Sequence, residues 1–271
     1  MSISTSAQIH STAVVEDGAT IGDEVRIGPF CLIGAQATIG AGSELMSHVV
    51  VSGRTTLGAR TRVFPQAVLG GEPQNVRYAG EDTQLVIGDD CVIREGVTMH
   101  RGMPDHGGLT SVGSNGLFLA YSHVAHDCRV GDNVIMSNNV MLGGHVVVGD
   151  HVIIGGGAGI HQFVRVGHHA FIGGVVGVTN DVIPFGMCTG WPAALSGMNI
   201  VGMKRAGLSK AQLHEVRAAY KAIFEAGAPI RENVEKLKAA GINNTIVRHI
   251  VDFIDADRER ALTSPQRHQR T

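Results

Sequence analysis

VGDNVI-MSNNVM-LGGHVV-VGDHVI-IGGGAG, residues 130–159, sets an aliphatic or similar residue at every sixth position, and that spacing decides the fold. The full series is Val112, Phe118, Val124, Val130, Met136, Leu142, Val148, Ile154, Ile160, Val166, Ile172 and Val178, with Gly next in seven of the twelve cases. An earlier run keeps the same beat from Ile9 to Leu69, and a short one follows at Ile87, Ile93 and Met99. A period of six is neither helical nor that of a hairpin. It is the signature of a parallel β-helix, a solenoid in which each hexad supplies one short side of a coil. Three hexads close a triangular coil, and parallel strands stack about 4.8 Å apart.

The 271 residues suffice for a substantial core. The 37 glycines and the 4% aromatic content suit a narrow interior that admits only aliphatic and small side chains. A net charge of −2 gives no global sign of nucleic acid or membrane as a partner. The charge is uneven, however. Residues 1–203 carry 9 Lys/Arg against 16 Asp/Glu, or −7, and residues 204–271 carry 13 against 8, or +5. Such a basic end suits an acidic partner, although a solvated helical surface has the same composition. Met1 to His10 has no basic start and no apolar run, and no stretch approaches the roughly 18 apolar residues of a membrane span. Cys31, Cys91 and Cys128 each follow a hexad leader by four residues, an inward position, so they read as small buried hydrophobes. A reduced, cytoplasmic setting is the expectation.

Two segments break the beat. GGEPQNVRYAGEDTQLV, within 70–86, reads as a loop projecting from a corner, and the spacing of 13 from Met99 to Val112 requires a second excursion over 100–111. Long loops on a regular scaffold are often functional. After Pro184 the hexads stop. The spacing predicts a helix over 209–226 with Ser209 as N-cap, a second over 229–240 closed by Gly241, and a third from Asn244 to about Leu262. The polar tail from Thr263 reads as frayed. The expected division is a β-helix over 1–190 and a helical cap over 191–271. Such a cap covers the unpaired strand backbone at a solenoid end.

Four of the 14 histidines cluster by coil arithmetic: His123, His126, His145 and His161. One coil beyond His126 is Gly144, and one further is Gln162. None of these is a leader, so a ligand could reach them from outside. The bland alternative is a set of turn residues on a glycine-rich surface. The chemical reading is general-base catalysis, in which a neutral imidazole takes a proton from a hydroxyl attacking an acyl carbon. Asp127 is the candidate partner for the ring, provided a corner turns the two adjacent side chains together. The Gly144 N–H is the candidate oxyanion donor. Several imidazoles on neighbouring coils could instead hold zinc. No serine or cysteine nucleophile stands beside the cluster, which favours direct transfer.

HVAHDC at 123–128, GGH at 143–145, HQF at 161–163, HRG at 100–102 and NIVGMKR at 199–205 make the chain closely similar to the bacterial UDP-N-acetylglucosamine acyltransferases, over essentially its whole length. The resemblance implies an all-β left-handed parallel β-helix, contrary to the usual right-handed crossover, with a C-terminal α-helical domain. It also implies a homotrimer with active sites between subunits and no metal or cofactor. The implied reaction moves a 3-hydroxyacyl chain from acyl carrier protein, an acidic partner, to the 3-hydroxyl of UDP-N-acetylglucosamine, the first step of lipid A synthesis. By position, His126 matches the general base, Asp127 its orienting partner and Gly144 the oxyanion donor. His123, His145, His161 and Gln162 match positions that hold substrate. Gln74 matches a sugar contact, and Asn199 and Arg205 match residues that bind the nucleotide diphosphate.

Three departures stand out. Asn75 replaces the family's Asp, Ala206 replaces a second arginine, and Trp191-Pro192 replaces an Asn-His pair near the tail of the acyl groove, where Gly174 matches a small residue that leaves room for the chain. Asn75 keeps an acceptor but loses a charge, which bears on hydroxyl against amine as the accepting group. The rival readings are an N-acyltransferase on an amino-sugar, a zinc carbonic anhydrase on the same solenoid, and a non-enzymatic solenoid.

Overall fold

The computed structural model describes residues 2–257 and 260–266. Its strands are mostly two residues long, and successive side chains in a strand face opposite ways. The hexad leader is the second of each pair: Thr20 is exposed and Ile21 buried, Arg62 exposed and Val63 buried. Among the described residues the strands stack in sheets of nine, eleven and nine, parallel except for the last pair of the eleven-stranded sheet, and these are the three faces of a left-handed β-helix. Val112 pairs with Val130, Val130 with Val148 and Val148 with Val166, one coil at each step, so the leaders form continuous internal ladders. The glycines after the leaders answer to this stacking. A Cβ on Gly149 would stand 2.6 Å from the backbone nitrogen of His168 on the next coil.

Both interruptions are insertions between strands that still pair. Arg54 pairs with Gln84, 30 residues on, and Gln84 with Leu109, 25 residues on. The chain beyond one coil length forms the loops 72–83 and 101–108, so the helix continues in register past each. All four cysteines are free and buried. The Cys128 thiol donates to the Gly143 carbonyl at 3.2 Å, and burial pushes its pKa up to about 12, as suits a core residue.

At the C-terminal end Gly186–Thr189 joins the eleven-stranded sheet and pairs antiparallel with Ala194–Met198. Among the described residues four helices follow: α1 Ile200–Arg205, α2 Lys210–Phe224, α3 Ile230–Ala239 and α4 Thr245–Ala256. The sequence signals for the last three hold at their starts. Ser209 and Gln212 form a reciprocal capping box, and Asn244 accepts from the N–H groups of Ile246 and Val247. Helix α1 had no sequence signal of its own. The third expected helix ends earlier than its pattern suggested, at Ala256, because Asp257 turns to an extended backbone (φ −142°). Leu262 bridges to Asp181 instead.

The expectation of a frayed tail is wrong at its start. Thr263 is 3% exposed and donates both its N–H, to the Asp181 carbonyl, and its hydroxyl, to the Asn180 carbonyl. The rest of that expectation, residues 267–271, lies outside the described residues. Among the described residues no helix is long and apolar enough to cross a membrane.

Candidate active site

The corner between the third face and the first carries the histidine cluster. His123 begins a strand of the third face, in register with Met141 on the next coil. The turn that follows brings up His126 and Asp127, and one coil on it brings up Gly144 and His145. Asp127 (φ 59°), His145 (φ 63°) and Phe163 (φ 65°) stack at this corner in the left-handed region, where non-glycine residues are uncommon. That backbone swings adjacent side chains onto one side. His126 Nδ1 and Asp127 Oδ2 are 2.7 Å apart, a pairing that an extended strand would forbid.

Asp127 is 7% exposed and fully engaged: Oδ1 accepts from the Met103 N–H at 2.9 Å, and its own N–H donates to Thr110 Oγ1 at 2.8 Å. A carboxylate only accepts, so Nδ1 of His126 carries the proton and Nε2 presents a lone pair outward. Gly144 lies beneath this ring. A Cβ there would sit 2.6 Å from His126 Cε1, so glycine is what lets the imidazole rest on the neighbouring coil. Among the described residues nothing accepts from the Gly144 N–H. Gly144→Ala is expected to push the ring aside and lower turnover about a hundredfold with the melting temperature unchanged, the cost of misplacing the candidate base by about 1 Å. Steady-state kinetics beside calorimetry check this.

Burial acts on three further imidazoles, those of His145, His123 and His100. His145 stacks on Phe163 (ring centroids 4.3 Å apart, 3° between planes) and meets His126 edge-on at 5.1 Å. Burial depresses its pKa, opposed by the charge of Asp127. His123 is lowered by burial and then by His126, and its Nδ1 lies 2.7 Å from Thr98 Oγ1. His100, buried edge-on to His123, is lowered to about 4, chiefly by burial.

The comparisons decide the family. An acyl-[acyl-carrier-protein]--UDP-N-acetylglucosamine O-acyltransferase of Rhizobium johnstonii is 57% identical over 268 residues, covering 99% of this chain and 98% of its own length. A protein of the same name from Agrobacterium fabrum is 51% identical over 98% of each chain. The chain belongs to the acyl-[acyl-carrier-protein]--UDP-N-acetylglucosamine O-acyltransferase family. The family model for domain 2 of UDP-N-acetylglucosamine O-acyltransferase matches residues 181–263. Among solved structures of the family, LpxA from Acinetobacter baumannii superposes with a TM-score of 0.91 at 40% identity, covering 95% of this chain and 99% of that one. The UDP-N-acetylglucosamine acyltransferase from Campylobacter jejuni gives 0.89 at 34% identity, covering 96% and 100%.

Within this acyltransferase the structure brings some of the anticipated residues together and holds others apart. His123, His126, Asp127, Gly144 and His145 form one cluster. His161 and Gln162 lie on the adjoining coil, exposed, with His161 Nδ1 3.2 Å from the Gln162 carbonyl. Gln74 and Asn75 are on the 72–83 loop, where Asn75 Oδ1 accepts from the Arg77 N–H. That loop is tied to the 101–108 segment by Arg101 donating to the Tyr78 hydroxyl and by an Arg77–Asp105 pair at 3.6 Å.

Asn199 and Arg205 are elsewhere. Asn199 caps α1, accepting from the Gly202 N–H and donating to the His169 carbonyl. With Arg205 it lines a cavity of about 590 Å³ against His151, His169 and Phe171, at the corner between the first and second faces. Ala206 lies on the same wall.

Along the outer side of the third face, His123, Met141, Gly159 and Gly177 descend in register, with Met141 54% exposed and open space over Gly159. The strip ends under Trp191, whose ring would lie 2.6 Å from a Cβ on Gly177. Gly174 sits at the corner beside it. Three contacts of the cluster were missed in the sequence. Phe163 follows from the coil arithmetic, two coils after Asp127. Met103 and His106, whose ring meets His145 edge-on at 4.3 Å, have no such signal, because they come back over the cluster on an irregular loop.

Proposed function

We infer that this chain transfers a 3-hydroxyacyl chain from acyl carrier protein to the 3-hydroxyl of UDP-N-acetylglucosamine, the first step of lipid A assembly. The observation that carries the mechanism is the His126–Asp127 pair, with Asp127 held in turn by the Met103 N–H. Nε2 of His126 takes the proton of the sugar hydroxyl as its oxygen attacks the thioester carbonyl. Asp127 stabilises the imidazolium, and the Gly144 N–H donates to the oxyanion. Collapse of the tetrahedral intermediate breaks the C–S bond, and the imidazolium returns its proton to the departing thiolate. No covalent acyl-enzyme is needed.

His126 and Arg205 lie at different corners of the triangle, so a single site containing both requires two copies of the chain. This supports an assembly of three copies with sites between neighbours. Gln74, Asn75, His123, His145, His161 and Gln162 then border the sugar and acyl groups, and Asn199 and Arg205 meet the nucleotide. The +5 charge of residues 204–271 suits an acidic carrier protein.

Mass spectrometry with a panel of 3-hydroxyacyl carrier proteins and UDP-N-acetylglucosamine, beside its 3-amino analogue, tests the reading. The expected product is the 3-O-ester, and absence of any acylated sugar sinks it. The same assay reads the groove. Trp191→Ala removes the ring standing over Gly177 and is expected to move the preferred acyl length up by two or more carbons, at about 0.8 kcal/mol per newly buried methylene. An unchanged length profile removes Trp191 from that role.

A further inference from the structure

We propose that His126, Asp127 and His145 form a binding site for a zinc-class transition-metal ion, completed by His106, and that filling it switches the transferase off. One donor atom from each of the first three residues lies within 4.8 Å of the other two. His126 Nδ1 lies 2.7 Å from Asp127 Oδ2, and His145 Nδ1 lies 3.7 Å from the same oxygen. Tetrahedral zinc with bonds of about 2.0–2.1 Å needs donor atoms about 3.3 Å apart, a spacing these pairs bracket. The donors are two imidazoles and a carboxylate, a set that suits zinc.

The backbone already fixes these donors, because Asp127 and His145 share the left-handed corner on successive coils and Phe163 stacks on His145. His106 supplies the fourth position. It is exposed at the end of the 3₁₀ turn Pro104–His106, with its ring edge-on to His145 at 4.3 Å, so a change of side-chain rotamer is enough to reach an ion. Arg77, the cation whose charge is felt at His145, is paired with Asp105.

The consequence for the reaction follows from tautomers and rests on His126 being the base. In the metal-free site Nδ1 carries the proton and Nε2 the lone pair. An ion at Nδ1 binds the lone pair freed there as the ring proton moves to Nε2, so Nε2 becomes a donor and no base remains to accept the sugar hydroxyl proton. No net proton is released at His126, because the ring only exchanges one tautomer for the other.

Calorimetric titration of the full-length protein with zinc chloride, beside turnover assays with and without a chelator, tests the site. Wild type is expected to bind zinc one-to-one, to lose turnover as the site fills, and to regain it on chelation. His145→Ala should weaken binding about a hundredfold. His106→Ala should weaken it about tenfold. His249→Ala, in the separate imidazole group around His168, should change neither. Absence of binding overturns the proposal, as does binding indifferent to His106 and His145, or full turnover with zinc bound. Binding is read without activity, so an inactive metal-free enzyme would count against the acyl-transfer reading alone.

Discussion

His126→Ala is expected to lower kcat about a thousandfold, within the range that a positioned general base contributes. The unfolding midpoint should fall by no more than about 3 °C, because the ring, with a side chain 12% exposed, lies at a corner outside the stacked leader ladders. The two halves have separate causes. Nε2 of His126 is the lone pair that the corner turns outward, and no other group of the cluster replaces it: His145 shares the same carboxylate but only at 3.7 Å, and His123 spends Nδ1 on Thr98. The fold does not depend on the ring, which is held by a single hydrogen bond to Asp127. Single-turnover kinetics with saturating carrier protein, beside scanning calorimetry, measure both. Turnover within tenfold of wild type would remove His126 from the role of base. Equal loss of activity and of melting temperature would make it structural.

The fold was legible because its period is a steric requirement. Leaders such as Val130, Val148 and Val166 are stacked copies of one position, so a substitution out of period would cost core packing at once. The same arithmetic put His126, Gly144 and Gln162 on one column and explains why the cluster could be read before any coordinates. It could not show that His126 and Asp127 pair, since this depends on a backbone angle of 59° at Asp127, which the hexad pattern does not encode.

The partners from outside the period stayed hidden for a different reason. Met103 and His106 return to the site through an insertion whose path is set by local hydrogen bonds, such as those of the Gly107 and Gly108 N–H groups to the Pro104 and Met103 carbonyls. Helix ends were legible where capping chemistry marks them, at Ser209 and Asn244. They were misread near Leu262, where contact with the last coil outweighs the helical pattern of α4.

That contact leads to the largest expected effect on stability. Asp181 is 0% exposed and sits where the last coil meets the C-terminal segment. Its Oδ2 accepts from Arg165 Nε at 2.7 Å, and its Oδ1 accepts from the Arg165 N–H at 2.8 Å and from Arg260 Nε at 3.1 Å. Its main chain binds the returning strand, with the N–H to the Ala261 carbonyl at 3.0 Å and the carbonyl to the Thr263 N–H at 2.8 Å. The Arg165 guanidinium, 4.5 Å from the Phe253 ring, is thereby fastened to α4 as well.

Asp181→Ala leaves that guanidinium, with a side chain only 18% exposed, without its countercharge. Removing one member of a buried pair costs about 3–5 kcal/mol, because the remaining charge stays desolvated. Arg260→Ala removes only the more exposed partner and should cost about 1 kcal/mol or less. Chemical denaturation of the three proteins, with limited proteolysis to see where the chain first opens, separates these outcomes. The expected pattern is a large loss for Asp181→Ala, a small one for Arg260→Ala, and early cleavage between the last coil and α2. An Asp181→Ala protein within 1 kcal/mol of wild type would mean that the helices hold to the solenoid through their apolar faces alone. Because Asn199 is anchored to the last coil through its N–H to the Phe185 carbonyl, loosening this junction should also raise KM for the nucleotide sugar more than it lowers kcat.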